Sequence, residues 1–172
     1  MSDGDEIVRA EYFLAPGHIY VGLEPAVVWL VLGSCVAVSL WERDLRFGGM
    51  CHYAYPVCRD RARATAYYGN AALPELIRMM LAEGAKVTSI EAQIMGGAHP
   101  KDYRGEDTGM ENVKIAQKIL ERMGINVISR DVGGIQGRKI IFDTDTGNVA
   151  IIKVPKIRKD DWYPDPDGLS RR

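Results

Sequence analysis

The chain has 172 residues, 22 basic against 23 acidic, with 47% apolar and 26% charged side chains. That length suits one domain able to bury roughly 70% of its unfolded surface without a metal or disulfide staple. A formal charge of −1 gives no electrostatic footing for nucleic acid or an anionic membrane, and both are set aside as partners.

The opening residues, Met1 to Glu6, are acidic and carry no apolar run of signal-peptide type, which reads as a cytoplasmic protein. Cys35, Cys51 and Cys58 are odd in number and lack paired CxxC spacing, so they read as thiols in a reducing compartment. Adjacent Cys51 and His52 point to opposite faces of a strand, which argues against their sharing an ion with Cys58, and no metal is expected.

In chain order, residues 7–14 alternate apolar positions and stop at Ala15-Pro16-Gly17, and His18 to Gly22 resumes as a short strand. Ala26 to Trp41 is uncharged for 16 residues, short of the ~20 a membrane-spanning helix needs. Its valines and its Gly33-Ser34 break predict two buried strands, Ala26 to Val31 and Val36 to Trp41, so the chain is not expected to be membrane-embedded. A polar turn, Glu42 to Arg46, leads to a return strand from Gly48 to Pro56. Residues 57–67 hold three arginines and read as an exposed loop. Asn70 is placed to cap a helix carrying Leu73, Leu76, Ile77, Met80 and Leu81, which Gly84 ends. Val87 to Met95 reads as a strand, and Gly109 to Met123 as a second helix stopped by Gly124. Asn126 to Val132 and Lys139 to Phe142 read as strands, and Val149 to Val154 closes a hairpin over the turn at Asp143 to Gly147. Residues 1–155 form the expected domain, and 156–172 a charged, proline-broken tail.

The chemistry gathers at Leu32-Gly33-Ser34-Cys35. Glycine at an interruption between buried strands signals a bulge or a close backbone approach, and peptide N–H groups beside it suit a developing negative charge. Cys35 and His52 are 17 positions apart. With the turn centred between Asp44 and Leu45, His52 lies opposite Ala37, and Cys35 is its diagonal neighbour on the same face at about 7 Å. A one-residue slip would put them on opposite faces. Imidazole beside thiol suits acyl transfer through a thioester, with N–H groups around Ser34 and Cys35 as oxyanion donors. No carboxylate is placed to orient the imidazole, leaving a main-chain carbonyl or the hydroxyl of Ser34 or Ser39. The bland alternative is also open: a buried cysteine is ordinarily a small hydrophobe, and a neighbouring histidine a satisfied core residue.

Leu32-Gly33-Ser34-Cys35-Val36-Ala37-Val38, followed by Gly48-Gly49-Met50 and His52, resembles the signature of the chemoreceptor glutamine deamidase family, CheD. The resemblance continues through Tyr12-Phe13-Leu14 with Pro16-Gly17, Tyr68-Gly69-Asn70, Gly96-Gly97-Ala98, and Gly133-Gly134 with Gly137-Arg138-Lys139 and Phe142 to Gly147. It implies an α+β layered fold, with packed mixed β-sheets flanked by two to three helices. It also implies a chemotaxis enzyme, a protein-glutamine glutaminase, that converts glutamines of methyl-accepting chemoreceptor cytoplasmic domains to glutamate, with receptor methyl ester hydrolysis as a related activity. Cys35 would be the nucleophile, His52 the general base and acid, and a CheC-type phosphatase a partner; no cofactor is implied. The family's threonine upstream of the Gly-Ser-Cys block, which orients the histidine, is replaced here by Trp29-Leu30. Either a main-chain carbonyl near Trp29 substitutes, or the protein is a weak or silent adaptor that holds receptor or phosphatase helices.

Overall fold

The computed structural model describes residues 9–157. Four strands form one sheet, ordered β1 (Ala10–Phe13), β3 (Ala26–Leu32), β8 (Gly137–Asp143) and β9 (Val149–Val154). Five form a second, ordered β2 (His18–Gly22), β5 (Phe47–Tyr53), β4 (Val36–Glu42), β6 (Ile90–Gly96) and β7 (Asn126–Val132). Both are mixed, because β1 runs parallel to β3 and β7 parallel to β6 while the other pairs are antiparallel. The helices are α1 (Gly69–Ala82) and α2 (Thr108–Met123).

Side-chain packing sets the layer order. Val28, Leu30, Leu32, Ile140 and Phe142 of the smaller sheet share a buried cluster with Cys35, Ala37, Met50 and Met95 of the larger. On the other face of the larger sheet, Val36, Val38, Leu40, Cys51 and Tyr53 pack against Leu73, Leu76, Ile77 and Met80 of α1 and Val113, Ala116 and Leu120 of α2. The molecule is therefore sheet on sheet on helices, the expected α+β layered fold. Strands β4 and β5 are covered on both faces, which is why they read as near-continuous apolar runs. Each of the four large apolar side chains that α1 buries, Leu73, Leu76, Ile77 and Met80, contributes roughly 1.5–3 kcal/mol.

Local signals explain most element ends. Asp107 caps α2 by accepting the Met110 N–H at 3.0 Å, and Gly124 stops it with φ 68°. Asn70, expected to cap α1, does not; the helix starts after Tyr68 with no side-chain cap. The Asn70 amide instead accepts from the Cys58 N–H and donates to the Cys58 carbonyl, each at 2.9 Å, so closing the preceding loop with two bonds wins over one cap bond. The strand expected from Val87 begins at Ile90, after a 3₁₀ turn at Val87–Ser89. The exposed arginine loop is found as expected, with Arg59, Arg61 and Arg63 all on the surface. Of the expected tail, only Lys156 and Ile157 fall within the described residues. Among the described residues, no helix is long and apolar enough to cross a membrane.

Candidate active site

The interruption around Cys35 is the point where the chain changes layers. It leaves the smaller sheet at Leu32 and joins the larger at Val36, so Gly33 to Cys35 is a crossing between sheets rather than a bulge within one strand. All three carbonyls of the crossing are held. Gly33 accepts the Ala98 N–H at 3.0 Å, Cys35 accepts the Gly97 N–H at 2.9 Å, and Ser34 accepts the side-chain amide of Asn112 at 3.0 Å. Glycine is required where the neighbouring loop approaches. Gly96 has φ 107°, and a Cβ there would collide with the Cys35 carbonyl oxygen; a Cβ on Gly109, in the first turn of α2, would come 2.5 Å from the Gly97 carbonyl.

The β4–β5 ladder pairs Ala37 with His52, the register read from the turn. Cys35 and Ala37 line the cluster between the sheets, and His52 reaches into the same layer, where its Nδ1 lies 2.8 Å from the Leu14 carbonyl. A carbonyl oxygen only accepts, so Nδ1 carries the proton and neutral His52 presents a lone pair at Nε2. That Nε2 is buried and has no hydrogen-bond partner among the described residues.

Burial keeps both groups neutral. Desolvation pushes the His52 imidazole down to about 4; the Leu14 bond opposes this, and His18, directly across the β2–β5 pair, adds to it. Desolvation pushes the Cys35 thiol up to about 11, against a smaller opposing effect from its own backbone N–H, which is aimed at the sulfur. An N–H beside the sulfur is also where an oxyanion would form after attack. Thiol and imidazole are therefore both uncharged at rest, an arrangement for proton transfer during attack rather than for a standing ion pair.

The remaining candidates fall as follows. The Ser34 side chain is exposed, at the solvent side of the crossing. Ser39 pairs with Met50 and Gln93, one rung of the same face beyond Ala37. The Trp29 carbonyl accepts the Leu14 N–H at 2.9 Å, so it steadies the acceptor of His52 and is not that acceptor. The Trp29 side chain pairs with the Phe13 ring at 4.9 Å, on the face of β3 turned away from the inter-sheet cluster. Cys51 faces the helices, opposite to His52, with its thiol pushed up to about 12 by burial. Sequence reasoning missed Leu14, which acts through a main-chain atom and leaves no side-chain signal. It also missed Asn112, which did leave one: an amide within the buried face Gly109, Asn112, Val113, Ala116 and Leu120 of α2.

A thiol and a tautomer-fixed imidazole turned into one buried layer make this a candidate thiol-dependent acyl-transfer site on a sheet–sheet–helix scaffold. The family model for CheD, described as CheD chemotactic sensory transduction, matches residues 57–153. The chain is 41% identical over 141 residues to probable chemoreceptor glutamine deamidase CheD 1 of Anaeromyxobacter dehalogenans, covering 81% of this chain and 82% of that one. It is 38% identical over 153 residues to the CheD protein of Trichlorobacter lovleyi, covering 88% and 95%. To that of Sulfurimonas denitrificans it is 34% identical over 147 residues, covering 84% and 94%. The latter two also carry the name probable chemoreceptor glutamine deamidase. The chain belongs to the CheD family.

Proposed function

We propose that this chain hydrolyses the side-chain amides of selected glutamines on the cytoplasmic helices of methyl-accepting chemoreceptors, with Cys35 as nucleophile and His52 as base and acid. Family membership supports the deamidase activity and the chemoreceptor substrate. The observation that carries the assignment of residues is the bare, proton-accepting Nε2 of His52, locked by the Leu14 carbonyl in the layer that holds the Cys35 thiol.

In this reading Nε2 takes the thiol proton as sulfur attacks the amide carbon. The developing oxyanion is met by the Cys35 N–H. The carbon–nitrogen bond breaks, His52 returns its proton to the leaving nitrogen, and ammonia departs from a thioester. Water then attacks the thioester with Nε2 as base; the carbon–sulfur bond breaks, the thiol is re-protonated, and glutamate is left. Receptor glutamate methyl esters fit the same steps with methanol as leaving group. A CheC-type phosphatase offering a receptor-like helix would dock at the same crossing. Converting a neutral amide to a carboxylate adds like-charge repulsion on the receptor bundle and creates a methylation site. The adaptor reading drew on the Trp29-Leu30 departure, and the Leu14 carbonyl now supplies the bond that the missing hydroxyl would have made.

The test is ammonia release from a purified receptor cytoplasmic fragment, with glutamate formation read by mass spectrometry. Wild type should release ammonia, and Cys35→Ala and His52→Gln should not. Equal release by all three would refute the residue assignment, and no release by wild type would leave the adaptor.

A further inference from the structure

Asn112 joins the segments that carry the two candidate catalytic groups. It is fully buried in the second turn of α2. Its Nδ2 donates to the Ser34 carbonyl at 3.0 Å, one residue before Cys35, and to the Ala54 carbonyl at 2.9 Å, two residues after His52. Its own main-chain carbonyl accepts the Tyr53 hydroxyl at 2.6 Å, one residue after His52. The two acceptors fix which way the amide faces, because turning it over would set an oxygen against two carbonyl oxygens. Oδ1 is thereby left buried and without a partner among the described residues.

An unpaired buried carbonyl costs free energy that an apolar side chain at this place would avoid, and the other residues on this face of α2 are apolar or glycine. Such violations of the packing rules gather where a site needs a particular geometry. We infer that Asn112 is a positioning residue: it clamps the layer crossing that bears Cys35 to the end of the strand that bears His52, and so sets the approach of sulfur to imidazole. The inference rests on the proposed reaction for its purpose, although the clamp has a readout that needs no substrate. Neither Asp, which lacks the donors, nor Ser, which is too short to reach both carbonyls, can replace it.

The decisive experiment uses the full chain in a Cys58→Ser background, with Asn112→Asp and Asn112→Ser, below the melting transition of each. Ammonia release from receptor fragment is measured alongside iodoacetamide labelling of Cys35 and Cys51, resolved by mass spectrometry across pH. With the clamp released, kcat should fall by about 100-fold while KM stays within about twofold, the scale expected for reacting groups misplaced by an ångström. Cys35 labelling should shift from a midpoint of about 11 toward the ordinary thiol value of 9 as the crossing loosens, with Cys51 remaining silent on the helix side of β5. Cys51 distinguishes the clamp from general loosening: labelling of both thiols in step would make Asn112 a fold residue only and overturn the inference. Unchanged kcat with an unchanged Cys35 profile would overturn it too. If Asn112→Asp does not fold, Asn112→Ser decides by the same criteria. A wild type that releases no ammonia counts against the proposed reaction, and the labelling then still decides the clamp.

Discussion

The Nδ1 of His52 and the carbonyl oxygen of Leu14 are 2.8 Å apart, although the residues are 38 positions apart: His52 sits on β5 of the larger sheet, and Leu14 lies where the chain passes from β1 of the smaller sheet to β2 of the larger. This bond settles the tautomer, and with it the direction in which a proton can move. It also places the imidazole in a layer dry enough to hold it neutral far below ordinary histidine values.

Acid stability should report that burial. The folded-state value of His52 is about 4 against an ordinary 6.5, so between these the unfolded chain binds a proton that the folded chain does not. Stability from this group is complete above pH 6.5, declines as pH falls, and is lost below about 4, a total of about 3 kcal/mol. Urea unfolding of wild type should show this slope, and His52→Gln should unfold with a flatter dependence over the same window.

Activity and thiol reactivity should part company with pH. Because His52 must be neutral to act as base, kcat/KM should rise through about pH 4 and remain level across neutrality. Cys35 labelling in the absence of substrate should instead keep rising to about pH 11. Coincident profiles with a midpoint near neutrality would indicate a standing thiolate–imidazolium pair and contradict the neutral resting state.

Trp29→Thr isolates the family departure. The side chain packs on Phe13, away from the inter-sheet layer, so the substitution should cost about 1 kcal/mol of stability from the lost ring pair and leave kcat within about twofold. A large gain in kcat would mean that a threonine hydroxyl reaches the imidazole after all.

Gly96→Ala forces a Cβ onto the Cys35 carbonyl at a backbone angle that side chains rarely adopt. It should lower stability by about 1–3 kcal/mol and reduce ammonia release further than that loss accounts for, since what it displaces is the crossing itself. Gly124→Ala is the control: its φ is also positive, but nothing lies within 4 Å of the added carbon, so strain is expected there without loss of turnover.

What was legible in the sequence follows from how local each cause is. The polar turn at Asp44-Leu45 sufficed to give the Ala37–His52 pairing, because hairpin register depends on nearby residues. The second helix could be read from its apolar spacing, Asp107 being the only end signal overlooked. Membership of β3 and β4 in different sheets could not be read, since two apolar runs joined by a short break look alike whether they pair or cross layers. Asn70 looked like a cap because the competing partner, Cys58, lies 12 positions back on a loop without periodicity. The candidate pair was visible as residue types; the acceptor of its imidazole and its proposed clamp depend on contacts with residues 38 and 78 positions away in sequence.

Holding the histidine through a peptide oxygen has an evolutionary corollary. Every amino acid at position 14 brings that same atom, so a replacement that still fills the inter-sheet cluster, where the Leu14 side chain is buried, keeps the hydrogen bond. Loss of the upstream hydroxyl therefore does not by itself leave the imidazole without an acceptor.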